Sequence, residues 1–132
     1  MIQVAVTRTQ AIARDVLLIE LSAPGGQSLP GAAPGAHVDV HLPNGQIRQY
    51  SLTNAQGQVT QSCYQIAVAR DANSRGGSEW IHDKLRLGSS LKVSEPRNLF
   101  PLDVSAHKEI LFIGAGIGIT PIYSMVNSIK ST

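Results

Sequence analysis

The string Arg48-Gln49-Tyr50-Ser51-Leu52-Thr53 puts a guanidinium, a phenol and two aliphatic hydroxyls within six positions. On a strand, residues two apart share a face, so Arg48 and Tyr50 project together about 7 Å apart. Arginine binds phosphate through a bidentate fork, and tyrosine offers a ring face and a hydroxyl. The pair suits a ligand with an anionic end and a flat aromatic end, although an exposed Arg–Tyr contact would carry the same letters. A second string, Arg70-Asp71-Ala72-Asn73-Ser74-Arg75-Gly76-Gly77-Ser78-Glu79-Trp80, ends a glycine pair with serine where a helix begins. Backbone N–H groups at such a start lack helical partners and carry the positive end of the dipole, which makes an anion site with Arg75 nearby. Glycines that only turn the chain, and a Ser78 that only caps its helix, explain the string equally well. A third string has glycines at 114, 116 and 118 followed by Thr120-Pro121. It is not the G-x-G-x-x-G fingerprint, because Ile119 occupies the last glycine position. It does sit in a strand–turn–helix context, where a tight turn is the plain alternative.

The elements that must hold these residues are mostly short strands. Residues 2–9 alternate, with Ile2, Val4 and Val6 on one face, and 13–21 form a second run. Residues 27–35, with two prolines and two glycines, read as loop. A period-two strand over 36–42 leads into Pro43-Asn44-Gly45, a hairpin signal, and then a strand over 46–53. Residues 61–70 supply another, in which Tyr64, Ile66 and Val68 alternate with Gln65, Ala67 and Ala69. The alanine face leaves room for something flat against the backbone, or is a thin spot in the core. A short helix is expected over 78–85 with Gly88 as a left-handed C-terminal cap, then strand at 91–93. This spacing favours a small antiparallel barrel. Composition changes after Lys108: the apolar run at 110–113 reads as a strand buried on both faces of a parallel sheet. Thr120 is expected to cap a helix with Pro121 at its first position, and Ile122, Met125, Val126 and Ile129 form one apolar stripe.

Composition narrows the function classes. The chain has 132 residues, enough for one compact domain, with 42% hydrophobic and 15% charged residues. The net charge of +2 is spread without a basic block, and six aromatics give no stacking stripe, so neither nucleic acid nor an anionic membrane is the expected partner. Cys63 is the single cysteine, which excludes an internal disulfide and a cysteine-held iron–sulfur cluster within these residues. It is expected to be a small packed residue. His37, Asp39 and His41 share a strand face, but His37 and His41 sit about 13 Å apart at the backbone, too far for easy metal ligation. That face is expected to be solvated, no metal is expected, and His82 and His107 have no evident partners. Trp80 is expected to pack. No segment has the ~18 apolar residues of a membrane span, and the first residues lack a secretory pattern, so a cytoplasmic location is expected.

In this order, Arg-x-Tyr-Ser, Gly-Gly-Ser, Pro96-Arg97-Asn98-Leu99-Phe100-Pro101-Leu102 and Gly-x-Gly-Ile-Gly-Ile-Thr-Pro resemble the ferredoxin–NADP reductase superfamily. The likeness is to its phthalate dioxygenase reductase branch, which includes vanillate O-demethylase and carnitine monooxygenase reductases, and it covers essentially the whole chain. The resemblance implies a mainly β fold, a six-stranded antiparallel Greek-key barrel binding FMN at 1–103. It also implies the first strand and helix of an α/β NAD(P)-binding domain at 104–132. It implies an oxidoreductase passing electrons from NAD(P)H through FMN, with FAD the less favoured flavin, to a [2Fe–2S] centre and a Rieske-type oxygenase partner.

Carried over by position, Arg48 resembles the FMN phosphate ligand, and Tyr50, Ser51 and Leu52 would line the isoalloxazine, with Ser51 near its redox-active N5 edge. Ala67, Val68 and Ala69 resemble the backbone segment under the ring. Gly77 and Ser78 resemble the phosphate cradle, joined by Ser74 and Arg75. Thr120 is similar to the residue at the flavin–nicotinamide contact, so Ser51 and Thr120 are the expected catalytic positions. Asn98 and Phe100 fall in the family's link between domains. The departure lies in what is missing. Only the start of a nicotinamide domain and no cluster domain are present, so the chain is expected to be a fragment whose exposed apolar C-terminal unit self-associates. The rival reading is a flavin-free barrel that serves only as a binding module, without turnover.

Overall fold

Alternating apolar residues decide which face of each strand turns inward, and the computed structural model bears this out. It describes residues 1–71, 76–98, 117 and 119–130. Strand β1 (Ile2–Ala13) buries Val4 and Val6, with Ile2 packed beside them, as the period-two pattern requires. It turns through Arg14-Asp15 into β2 (Val16–Ser22), with Ala13 opposite Val16 and Asp15 at a φ of 59°. Aspartate tolerates this left-handed conformation better than most residues. The hairpin carries β1 four residues beyond the expected end, and its outer half, from Thr7 on, is exposed.

The remaining strands are β3 (Leu29–Pro30), β4 (His37–His41), β5 (Ile47–Ser51), β6 (Thr60–Gln61), β7 (Tyr64–Ala69) and β8 (Ser90–Val93). Six of them form one sheet in the order β5-β4-β8-β1-β2-β7, and every pairing is antiparallel. The two edges meet through a bridge between Leu52 and Ile66 and a 2.8 Å bond from the Thr53 N–H to the Gln65 carbonyl. Closing a sheet in this way removes its exposed edges. The expected six-stranded barrel is therefore present, with Leu21, Val38, Val40, Leu52, Ile66 and Val93 among its buried interior.

Several local expectations change. The loop at 27–35 contains β3, which pairs with β6, and the buried Tyr64 hydroxyl donates to the Pro30 carbonyl beside that pair at 2.6 Å. Gly45 takes a φ of 88° in the expected hairpin turn. Helix α1 spans Gly77–Lys84 and ends at an extended Leu85. Gly88 is left-handed, at a φ of 84°, but it lies three residues further on, in a turn whose N–H bonds the Val6 carbonyl, so it is not the helix cap. Helix α2 spans Ile119–Lys130. Thr120 lies inside its first turn and donates its hydroxyl to the Ile117 carbonyl at 3.0 Å, so it does not act as the expected N-cap. The helix buries Thr120, Ser124 and Met125; of the expected stripe, Ile122 and Val126 are half-buried and Ile129 is exposed. The expected strand at 110–113 and the glycines at 114, 116 and 118 lie outside the described residues. Among the described residues, no helix is long and apolar enough to cross a membrane.

Candidate functional site

The start of α1 brings the first two motifs into contact. Arg48 leaves β5 on the same face as Tyr50, both half-buried, while Ile47 and Gln49 between them are exposed. The stem of Arg48 lies against Gly77, the first residue of α1. A Cβ at position 77 would stand 2.5 Å from Arg48 Nε and 2.7 Å from its Cγ. Glycine at 77 is what admits the guanidinium to the helix start. Arg48 is held there by 2.8 Å bonds to the Ile47 carbonyl and to Gln46 Oε1. The first helical bond of α1 runs from the Trp80 N–H to the Gly76 carbonyl, at 3.1 Å. The N–H groups of Gly77, Ser78 and Glu79 ahead of it therefore have no helical acceptor. A guanidinium and a fan of backbone donors converge at one point, which is the chemistry of an anion cradle.

Ser78 does not cap α1. The cap position is Gly76, at a φ of 99°, and the buried Ser78 hydroxyl accepts the Asp71 N–H at 3.1 Å instead, tying the two ends of the loop together. Arg70 braces the same helix from outside through a two-pronged pair with Asp83, at 2.8 and 3.1 Å, and lies 3.7 Å from Glu79. That hydrogen-bonded guanidinium holds the Asp83 carboxyl below its ordinary value. Ser74 and Arg75 lie outside the described residues, as does Phe100.

Along β5 the expected flavin-lining residues divide by role. Burial pushes the Tyr50 phenol up to about 12, with the Arg48 charge pulling the other way, so it stays a neutral hydroxyl across the working pH range. Ser51 is half-buried and makes no side-chain hydrogen bond among the described residues. The Leu52 side chain is fully buried in the core, which leaves its backbone as what it can present, and its carbonyl accepts the buried Ser124 hydroxyl of α2. On β7, Ala67 and Val68 are buried and Ala69 half-buried. The Val68 carbonyl accepts a bond from His82 Nε2 at 2.9 Å, so His82 has the partner that the sequence did not reveal. Thr120 sits one helical turn from Ser124, and so near the end of β5, without a bond to Ser51.

The His37–Asp39–His41 face also differs from expectation. His37 keeps only 9% of its surface, and Asp39 is ion-paired with Arg97. The cause is the chain after β8, which runs back along β4 and exchanges both backbone bonds between His37 and Arg97. Asn98 donates to the Pro34 carbonyl at 3.1 Å. Cys63 is half-buried, with its thiol pushed up by burial first and by Glu20 second, as expected of a packed residue. Trp80 packs against the core. Gln46 and Ser124 were missed. Gln46 shares the Arg48–Tyr50 face at the same two-residue spacing, a signal available in the sequence; Ser124 had none.

This geometry has relatives. No family model matches the chain. A toluene-4-sulfonate monooxygenase system reductase subunit of Comamonas testosteroni is 51% identical over 127 residues, 96% of this chain and 40% of that protein. A vanillate O-demethylase oxidoreductase of Pseudomonas sp. is 48% identical over 99% of this chain and 40% of its own length. Among solved structures, phthalate dioxygenase reductase, titled a modular structure for electron transfer from pyridine nucleotides to [2Fe–2S], matches with a TM-score of 0.91 and 41% identity. It covers 98% of this chain and 40% of that one. Along this span the chain is similar to reductases of the phthalate dioxygenase reductase kind. It spans about two fifths of the length of these relatives, and within that span Arg48 of the Arg-x-Tyr-Ser strand meets Gly77 of the Gly-Gly-Ser helix start.

Proposed function

We propose that this chain is the flavin-binding part of an NAD(P)H-dependent oxidoreductase that serves an oxygenase. FMN is its flavin, held by the barrel at 1–103, and residues 104–132 begin the NAD(P)-binding unit. The observation that carries this reading is the packing of Arg48 on Gly77 at the start of α1, a cradle that a Cβ would fill. A terminal phosphate fits it, meeting one fixed charge and up to three backbone donors. FMN is taken over FAD because a single terminal phosphate is enough to occupy these donors.

When bound, FMN would accept hydride from NAD(P)H and release electrons singly, toward a [2Fe–2S] centre and a Rieske-type oxygenase partner. The residues of this chain position it. Arg48, Gly77 and Ser78 hold the phosphate, with Ser74 and Arg75 in the same loop. Tyr50 offers a ring face and a neutral hydroxyl. The Ala67-Val68-Ala69 strip supplies a flat floor without protruding side chains. Ser51 turns a hydroxyl to the redox-active edge, and Thr120 on α2 flanks the nicotinamide approach. The test is uptake of FMN by the purified chain, followed by absorbance in the flavin bands and by quenching of flavin fluorescence. One equivalent should bind, more tightly than riboflavin. A colourless chain that ignores added FMN would overturn the reading and leave the flavin-free barrel in its place.

A further inference from the structure

The ladder between β4 and β5 places His37 beside Ser51. Its backbone bonds run from the Leu52 N–H to the Ala36 carbonyl and from the Leu42 N–H to the Gln46 carbonyl. Hydrogen-bonded and non-hydrogen-bonded pairs alternate along an antiparallel ladder, so the His37–Ser51 pair is of the non-hydrogen-bonded kind, in which opposed side chains stand closest. Both side chains project from the same face, the one opposite to Arg48 and Tyr50, so a ligand held by Arg48 meets Ser51 only by passing the free edge of β5. Asp39 follows two residues along on that face, anchored by Arg97.

Two groups in this row are buried and unsatisfied, and a third, half-buried, is uncommitted. His37 Nε2 and Asp39 Oδ1 are buried without a hydrogen-bond partner, and the Ser51 hydroxyl has none among the described residues. Leaving a buried polar atom unpaired is costly, and such atoms cluster where a ligand completes the arrangement. The backbone around them is fixed: His37 exchanges both of its bonds with Arg97, and the Leu52 carbonyl is held by Ser124. The orphan imidazole and the uncommitted hydroxyl are therefore ladder neighbours on a rigid frame.

We propose that His37 is a positioning residue for Ser51, a reading that rests on the flavin assignment above. An Nε2–H that donates to Ser51 Oγ frees the serine proton to donate outward, to an acceptor such as N5 of the oxidised flavin. When the ligand atom instead carries a hydrogen, Ser51 accepts from it and donates to His37 Nε2. An imidazole serves both arrangements because either of its nitrogens can carry the proton. Asp39 lies on the same face to favour one tautomer.

The experiment compares FMN with 5-deaza-FMN, which has a C–H in place of N5 and cannot accept that bond. The unmutated chain should prefer FMN by about fivefold, the worth of one ordinary hydrogen bond. Ser51→Ala and His37→Leu should each abolish the preference, His37→Asn should restore part of it, and the double variant should lose nothing more. A merely structural histidine would weaken both ligands alike. Long-range 1H–15N spectra of the unmutated chain need no variant: FMN should settle the His37 ring into one tautomer, and 5-deaza-FMN should not. Equal weakening of both ligands by His37→Leu, or His37 nitrogen signals identical with the two ligands, would overturn the proposal while FMN binding itself stands. Failure of the unmutated chain to bind either ligand would sink the flavin assignment and this inference together.

Discussion

Replacing Gly77 by alanine should strip the cradle of its charge without touching a charged residue. Gly77 lies inside α1 and lacks the positive φ of Gly76, so alanine fits its backbone and gains up to about 1 kcal/mol of helix propensity. The new methyl, however, would stand 2.5 Å from Arg48 Nε and 2.7 Å from Cγ. These are stem atoms, and the guanidinium beyond them is tethered to Ile47 and Gln46, so Arg48 must swing away from the helix start. The loss is that of a charge-assisted bond to phosphate, about 1.5–3 kcal/mol, which converts to roughly 10- to 150-fold in FMN affinity. Riboflavin, which has no phosphate, should bind almost as before. Thermal melts should show Gly77→Ala at least as stable as the unmutated chain, which separates a displaced arginine from a damaged fold. Arg48→Ala should reproduce the FMN loss, and the double variant should add little, because both remove one interaction. The reasoning fails if Gly77→Ala binds FMN normally while Arg48→Ala does not, or if riboflavin loses as much as FMN.

Ser124→Ala removes a fully buried hydroxyl and strands the Leu52 carbonyl, so it should cost about 1–3 kcal/mol in urea melts and speed amide exchange across 119–130. Unchanged exchange there would mean that this bond does not dock α2. Burial raises both Tyr50 and Tyr64 to about 12, so the folded chain keeps protons that the unfolded chain loses near 10. Stability should then be full below pH 10 and fall as pH rises from 10 through 12; tyrosinate absorbance that appears in full near pH 10, before unfolding, would contradict this.

The strands were legible because each has one buried face, and a period of two writes that face into the sequence. Ile2-Val4-Val6 and Tyr64-Ile66-Val68 point inward as read. The β1–β2 turn was not legible, since Arg14-Asp15 has neither the glycine nor the asparagine that usually marks a two-residue hairpin. Nor was β3, a two-residue strand whose partner, β6, is thirty residues away in sequence and too short to show a period. At the site, the spacing of Arg48 and Tyr50 gave their shared face correctly. The meeting of Arg48 with Gly77 could be suspected only because both strings suit an anion; nothing local says that a strand and a distant loop converge. His37 misled for the opposite reason. Its alternation with Val38 and Val40 marks an outward face, but outward from the barrel core is not outward to water when the chain after β8 folds back across it.

Leu52 shows why this strand can carry a site at all. Its N–H continues the ladder to Ala36, it bridges to Ile66 where the barrel closes, and its carbonyl takes the hydroxyl of Ser124 from α2. One residue thus joins the two barrel edges and receives the helix, with its side chain locked in the core. The residue before it, Ser51, inherits that rigidity through the backbone while its own hydroxyl stays uncommitted. Fixed geometry with free hydrogen-bonding capacity is what a catalytic donor needs, since every degree of freedom left to the group must be frozen when ligand arrives. Arg48 shows the same division, its stem pinned by Gly77 and its neighbours while the remaining guanidinium donors are left over. The barrel supplies position at both ends of β5, and because Arg48 and Ser51 lie on opposite faces, the ligand that satisfies both must pass the strand's free edge.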